Sequence, residues 1–198
     1  MAVTGSKRIL ALKKRKGRER ESAFLIEGVR LCEEAVASSP EDVEQLVFAR
    51  DMLDNPRLSS LKSTAESNNI FVQLTDRRAM KGMCETESPQ GVLGVARIPS
   101  RNRQAVLSSG KPSVILDRVR DPGNLGLILR TAEAASAGGV FLLKGSVELY
   151  NPKVVRSTMG SIFRLPVFFD EQPDTLMSDL KSAGTAIVAT SIDAPSFD

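Results

Sequence analysis

The sequence contains no histidine in 198 residues. That absence excludes the usual general base near neutral pH, Ser-His-Asp and Cys-His nucleophilic schemes, and every zinc site that needs imidazole. Cysteine is nearly as scarce. Cys32 and Cys84 stand 52 positions apart with no Cys-x-x-Cys spacing, too few for a four-cysteine metal site. They are read as incidental thiols of a reduced, intracellular protein. Long hydrophobic runs are also missing: no stretch approaches the roughly 18 apolar residues of a membrane span. The basic first residues hold no apolar core of signal-peptide length, so the expectation is a cytoplasmic protein with no membrane partner. The remainder is ordinary. With 41% hydrophobic and 26% charged residues, the chain has the composition of a soluble globular protein with a real core. Its length suits one large domain or two modest ones.

Charge is unevenly placed. Residues 1–20 carry eight basic side chains against Glu19 alone, a net +7, whereas the whole chain is only +3. An acidic body with a basic N-terminal arm results, and Lys13, Lys14, Arg15, Lys16 and Arg18 are its candidate contacts to a polyanion, because each phosphate contact releases a counterion. A solvated, disordered terminus is the competing expectation. Ile9, Leu10 and Leu12 allow a short helix with an apolar face, and no aromatic residue interleaves the cluster to stack on bases.

Further along, strands are predicted at 23–26, 43–48, 70–74 and 91–96, with helices at 29–37 and 58–67 and a short one capped by Asp76. Alternating strands and helices imply a small α/β domain over 21–98. Proline, glycine, serine and unpaired charge mark 99–112 as a linker. The second half, 113–198, reads as strands at 113–117, 140–143, 165–169 and 186–189, separated by helices at 125–137, 152–163 and 175–183. Continuous apolar strands with crossover helices predict a parallel sheet covered on both faces. Ligands of such sheets sit beyond the carboxyl ends of the strands, which puts 121–124, 144–145 and 190–193 along one rim.

The sharpest chemical signal is Asp121-Pro122-Gly123-Asn124-Leu125-Gly126-Leu127-Ile128-Leu129-Arg130-Thr131-Ala132. Pro122 and Gly123 suit a turn, Asn124 a helix cap that offers its amide at the positive end, and Gly126 a close approach of backbone or ligand. Arg130, nearly two helical turns on, is expected to share a face with Asn124, and an amide plus a guanidinium suits a phosphate or a ribose. On those two residues alone, a capped helix with a surface arginine is the favoured reading. No GxGxxG or Walker sequence is present, so neither a dinucleotide dehydrogenase nor a P-loop NTPase is supported.

The 121–132 segment resembles motif 1 of the SpoU family of RNA ribose methyltransferases. Asn151-Pro152-Lys153-Val154-Val155-Arg156-Ser157-Thr158-Met159-Gly160-Ser161-Ile162-Phe163-Arg164-Leu165-Pro166-Val167 is similar to its motif 2. Phe24-Leu25-Ile26-Glu27-Gly28-Val29-Arg30 and Ser88-Pro89-Gln90-Gly91-Val92 resemble the family's RNA-binding module. The resemblance implies an α/β fold in two parts: a small N-terminal α/β RNA-binding domain and a parallel-sheet α/β-knot methyltransferase domain. It also implies S-adenosylmethionine as cofactor, a homodimer, and methyl transfer to a ribose 2′-hydroxyl. Ribosomal RNA is the expected substrate, because the module resembles those of ribosomal-RNA enzymes. On this resemblance Asn124 shapes the site and Arg130 engages the target nucleotide, as base or as clamp; because a guanidinium hardly ever gives up its proton, the clamp is an equally good role. Thr158, Met159 and Gly160 are the implied cofactor-side loop, and Glu27, Arg30, Lys153 and Arg156 implied RNA contacts. No metal is expected. Two departures stand out. Ser136 replaces a glycine common in the family, a mild change so long as the backbone there is not left-handed. The family's motif 3, a glycine-glutamate loop and a Ser-Leu-Asn segment, is expected after the 187–193 strand, where only Ala194 to Asp198 follow. The methyltransferase domain is therefore expected to be C-terminally incomplete, and a catalytically inactive RNA-binding protein is the alternative expectation.

Overall fold

A computed structural model describes residues 3–190. The first half runs α1 (Val3–Leu12), α2 (Arg15–Glu21), β1 (Ala23–Glu27), α3 (Val29–Ser38), β2 (Val43–Ala49), α4 (Pro56–Ser67), β3 (Phe71–Thr75), α5 (Arg77–Met83) and β4 (Val92–Arg97). Its four strands lie in the order β1-β4-β2-β3, antiparallel except for the parallel pair β2–β3. Side chains alternate across this sheet. Phe24, Ile26, Leu46 and Phe48 face one core with α3 and α4, while Ala23, Leu25, Val47, Leu93 and Val95 face another with α1 and α5. Asp76 caps α5 as expected, its carboxylate accepting from Ala79 N.

The N-terminal segment is no free arm. Ile9 and Leu12, three apart on α1, are buried against the sheet, while Leu10 stays half exposed. Between α1 and α2 the chain doubles back so tightly that a Cβ on Gly17 would stand 1.9 Å from the Ala11 carbonyl oxygen. Arg18 is 3% exposed. A short amphipathic helix among many charges reads as solvated in sequence, and only the partner sheet reveals its buried stripe.

The second half comprises α6 (Arg103–Leu107), β5 (Ser113–Leu116), α7 (Pro122–Ala134), β6 (Gly139–Leu143), α8 (Pro152–Ser157), α9 (Ser161–Arg164), β7 (Val167–Glu171) and α10 (Pro173–Ser182). Its three described strands are parallel in the order β5-β6-β7. Central β6 is buried throughout: Val140 and Leu142 point into the core shared with the first half, Phe141 and Leu143 toward Val106, Leu176 and Leu180. The expected linker is thus partly structure, since α6, capped by Asn102, buries Val106 in that second layer.

Two further expectations change. The helix expected over 152–163 is two, because Met159 (φ 49°) and Gly160 (φ 102°) take left-handed conformations between α8 and α9. The strand expected at 186–189 has no ladder partner: residues 185–190 are irregular, with Ile187 and Val188 exposed. Residues 191–193 of the expected rim, and the place of the expected motif 3, lie outside the described residues.

The halves share one continuous core. The ring of Phe24 in β1 packs tilted against that of Tyr150, with centroids 4.6 Å apart, and stacks on that of Phe163 at 6.2 Å. Arg164 of α9 ties Glu133 of α7 to Glu34 of α3. Those two carboxylates raise the Arg164 guanidinium above its ordinary range, so it stays charged.

Candidate functional site

The turn after β5 feeds directly into α7, and the cap there is Asp121, not Asn124. The Asp121 carboxylate accepts from Asn124 N at 2.8 Å, with Pro122 in the first turn. Asn124 therefore already belongs to the helix, and its side chain is free of the capping duty expected of it. It is exposed, as is Arg130. A regular helix turns about 100° per residue, so six residues leave the two side chains about 120° apart and about 9 Å apart along the axis. They do not share a narrow face; they mark the two margins of one exposed stripe that also carries Gly123, Leu127, Thr131 and Ala134. Leu127, at its midline, is 57% exposed.

The buried side of α7 rests on α8. A Cβ on Gly126 would fall 1.9 Å from Ser157 Oγ and 2.7 Å from the Ser157 carbonyl carbon. The close approach read at this glycine is that of a neighbouring helix. Ser157 Oγ lies 2.9 Å from the Pro122 carbonyl and 2.7 Å from that of Val154, and donates there. At its other end α7 closes with Ala137 N on Ala132 O and Ser136 N on Glu133 O, both 2.9 Å, a left-handed cap that favours glycine. Ser136 has φ 57°, so the serine sits where the backbone is left-handed and the departure from glycine is not mild.

The expected cofactor-side loop lies elsewhere. Thr158 is fully buried, its hydroxyl bonded to the Val155 carbonyl. Gly160 faces the Glu34 side chain of α3, whose carbons lie 2.7–2.8 Å from where its Cβ would be. Thr158 and Gly160 are thus packed into the seam between the halves, with Met159 half-buried between them.

The expected RNA contacts divide into two groups. Glu27 and Arg156 meet at that seam, 3.7 Å apart (Arg156 Nη1 to Glu27 Oε2), with Lys153 exposed on α8 and Arg30 exposed on α3. Glu27 is itself buried and fully engaged, accepting from Glu85 N (2.8 Å), Thr86 N (3.1 Å) and the Thr86 hydroxyl. Among the N-terminal cations, Lys13 Nζ donates to the Cys84 carbonyl at 2.8 Å. Arg18 forms a two-pronged pair with Glu148 and caps the Leu12 and Lys13 carbonyls. Arg18 is therefore a buried tie from α2 to the second half and not a surface contact. Lys14, Arg15 and Lys16 remain exposed, Arg15 with Glu19 and Asp170 beside it. A cavity of about 250 Å³ opens between α2 and the carboxyl ends of β6 and β7, lined by Leu142, Tyr150, Phe169, Arg15, Glu148 and Asp170.

Sequence reasoning did not reach Ser157, Glu85, Thr86 or Glu148. The one available signal was a carboxylate, Glu27, closing an otherwise apolar strand, which foretells a buried partner set. Among the described residues no helix is long and apolar enough to cross a membrane, and no cluster of three histidine, cysteine or acidic side chains could hold a metal.

Comparison with known proteins agrees with both halves. Residues 111–198 match the family described as SpoU rRNA Methylase, and residues 6–94 match the MRM3-like substrate binding domain. A Bacillus subtilis (strain 168) protein named 23S rRNA (guanosine(2553)-2'-O)-methyltransferase RlmP is 33% identical over 178 residues, covering 90% of this chain and 66% of its own length. A mitochondrial rRNA methyltransferase 3 from Xenopus tropicalis is 34% identical over 195 residues, covering 94% of this chain and 45% of its own. Among solved structures, an rRNA methyltransferase from Sinorhizobium meliloti superposes with TM-score 0.75 at 28% identity, covering 90% of this chain and 66% of that one. A structure of the Sinorhizobium protein with AdoMet bound gives 0.74. The chain thus spans about two thirds or less of the length of these relatives.

Proposed function

Since the chain belongs to the SpoU methylase family, we propose that it acts in methylation of a ribose 2′-hydroxyl of ribosomal RNA, with S-adenosylmethionine as methyl donor. The observation that carries this is the helix α7: a motif-1 helix, rigidly seated on α8, that leaves Asn124 and Arg130 exposed on one stripe. A permanently charged guanidinium at one margin holds a phosphate, and an amide at the other bonds a ribose or a base edge. Fixing the target hydroxyl in this way supplies rate by orientation without proton transfer to arginine. No step is assigned to residues 158–160.

The first half and the exposed Lys14 and Lys16 are the proposed RNA-docking side. A homodimer, which the family resemblance implies, is part of the same reading. We place the protein in the cytoplasm with its RNA. Tritium transfer from labelled S-adenosylmethionine to ribosomal RNA tests the reading. Arg130→Ala is expected to lower transfer at least about 100-fold with an unchanged melting temperature, and transfer at the wild-type rate would overturn the role of Arg130. If the wild-type chain binds RNA in a salt-dependent manner yet neither binds the donor nor transfers a methyl group, a silent RNA-binding role replaces the proposal.

A further inference from the structure

The loop 84–91, between α5 and β4, is held from several sides. Lys13 Nζ caps the Cys84 carbonyl, Glu27 takes the N–H groups of Glu85 and Thr86, and Gln90 Oε1 accepts from Val29 N at 3.0 Å. Ser88 of its exposed tip, next to exposed Glu87, opens the segment that resembles the RNA-binding module. Glu27 is buried to 6% side-chain exposure, with every acceptor position facing this loop or Arg156. Arg156 in turn brings a buried Nη1 that has no hydrogen-bond partner to within 3.7 Å of Glu27. The next residue, Ser157, reaches the opposite way: its hydroxyl is 2.9 Å from the Pro122 carbonyl in the first turn of α7, and its backbone packs on Gly126. Two consecutive side chains of one helix therefore reach Glu27, which holds the docking loop, on one side and the start of α7 on the other.

We propose that Arg156 and Ser157 form a brace that sets the position of the Asn124 turn according to the position of the 84–91 loop. Arg156 acts through Glu27 and is a positioning residue, not an RNA contact. RNA seated on the loop tip shifts Glu85 and Thr86, the Glu27 carboxylate follows them, and α8 conveys the displacement to the start of α7. The inference rests on the RNA-docking reading of the first half, but its core is testable without RNA. Two discrete arrangements biased from both ends are what such coupling requires.

The test is amide spectroscopy of the 15N-labelled full chain. In Arg156→Gln, without RNA, the Glu85 and Thr86 amides are expected to exchange about tenfold faster, and the Asn124 and Leu125 resonances to move. Arg156→Lys, which keeps the charge, is expected to restore the Asn124 resonance. Glu27→Gln is expected to repeat the Arg156→Gln pattern, and should it fail to fold, the partly exposed Arg156 position carries the test alone. A ribosomal RNA hairpin added to wild type is expected to shift all four amides, and in Arg156→Gln only those of the loop. Changes confined to Glu85 and Thr86 would overturn the brace and leave Glu27 a local tie. If the hairpin shifts nothing in wild type, the RNA reading fails, whereas the RNA-free spectra still decide the brace.

Discussion

In the first sheet β1 is buried from end to end and so are the first five residues of β4. In the second, only β6 is buried throughout, β5 is half-exposed along its whole length, and β7 opens to solvent after Val167. The first sheet is closed on one face by α1 and α5 and on the other by α3 and α4. The second shares its larger core with the first half and has a smaller layer of its own around Phe141. Both halves draw on the shared core, and the edge strand β3 is as open as β5, but the first half has the larger layer of its own.

That contrast is open to direct attack. The largest effect is expected at Gly126. An alanine there drives a methyl into the backbone of α8, which no rotamer change relieves, so a loss of about 3 kcal/mol or more is expected in urea unfolding. Alanine at Gly94 in the first sheet meets only the side-chain carbons of Ile26 and Leu46, at 2.6 Å, which can shift, and should cost clearly less. Equal losses would remove the distinction between the halves. Next comes Glu148→Gln, which strips the carboxylate from buried Arg18. Glu148 itself is partly exposed, which moderates the loss to about 2 kcal/mol, read as a lower urea midpoint. An unchanged midpoint would mean that α2 contributes nothing to holding the halves together.

The thiols give a smaller effect, confined to the first half. Burial pushes the Cys84 thiol up to about 12, and burial likewise raises Cys32 well above the ordinary thiol range. In the unfolded chain both ionise near pH 8.5, so the contribution to stability is full below that pH and is lost as pH rises toward the folded values. A drop of about 1–2 kcal/mol between pH 8 and 9.5 is expected, absent in a Cys32→Ala, Cys84→Ala variant, with no alkylation of the folded protein by iodoacetamide at pH 8. The smallest effect has the opposite sign. Ser136→Gly relieves the left-handed strain at the end of α7 and is expected to raise stability by about 0.5–1 kcal/mol; a loss would mean that the serine side chain makes a contact outweighing its backbone strain.

Legibility did not follow that division: β5, β6, β7 and α10 were readable to within two residues, as closely as the strands of the first half. The strands β1, β2, β3 and β4 and the helix α3 were readable to within a residue or two, because long apolar runs and periodic stripes report their own burial. The helix α1 was allowed by Ile9, Leu10 and Leu12 but its docking was not, and α2 and α6 were not read as helices; these short apolar stretches lie among charges, and only the facing sheet makes Ile9, Leu12 and Val106 core. The break at Met159–Gly160 was hidden because one glycine inside a helical pattern does not announce a left-handed turn. In the site, Asn124 and Arg130 stood out as residue types, but their angular separation follows only once α7 is known to be regular from Pro122. The contact of Glu27 with Arg156 joins positions 129 apart in sequence, and no local pattern encodes such a pairing.

Tyr150 is the only tyrosine and there is no tryptophan. It packs against Phe24 across the seam, and its hydroxyl is pushed above its ordinary range by burial. The ultraviolet emission of the chain therefore comes essentially from one ring at the junction of the halves. Parting of the two halves, by denaturant, by mutation or by a bound nucleic acid, can be followed optically without attaching any label.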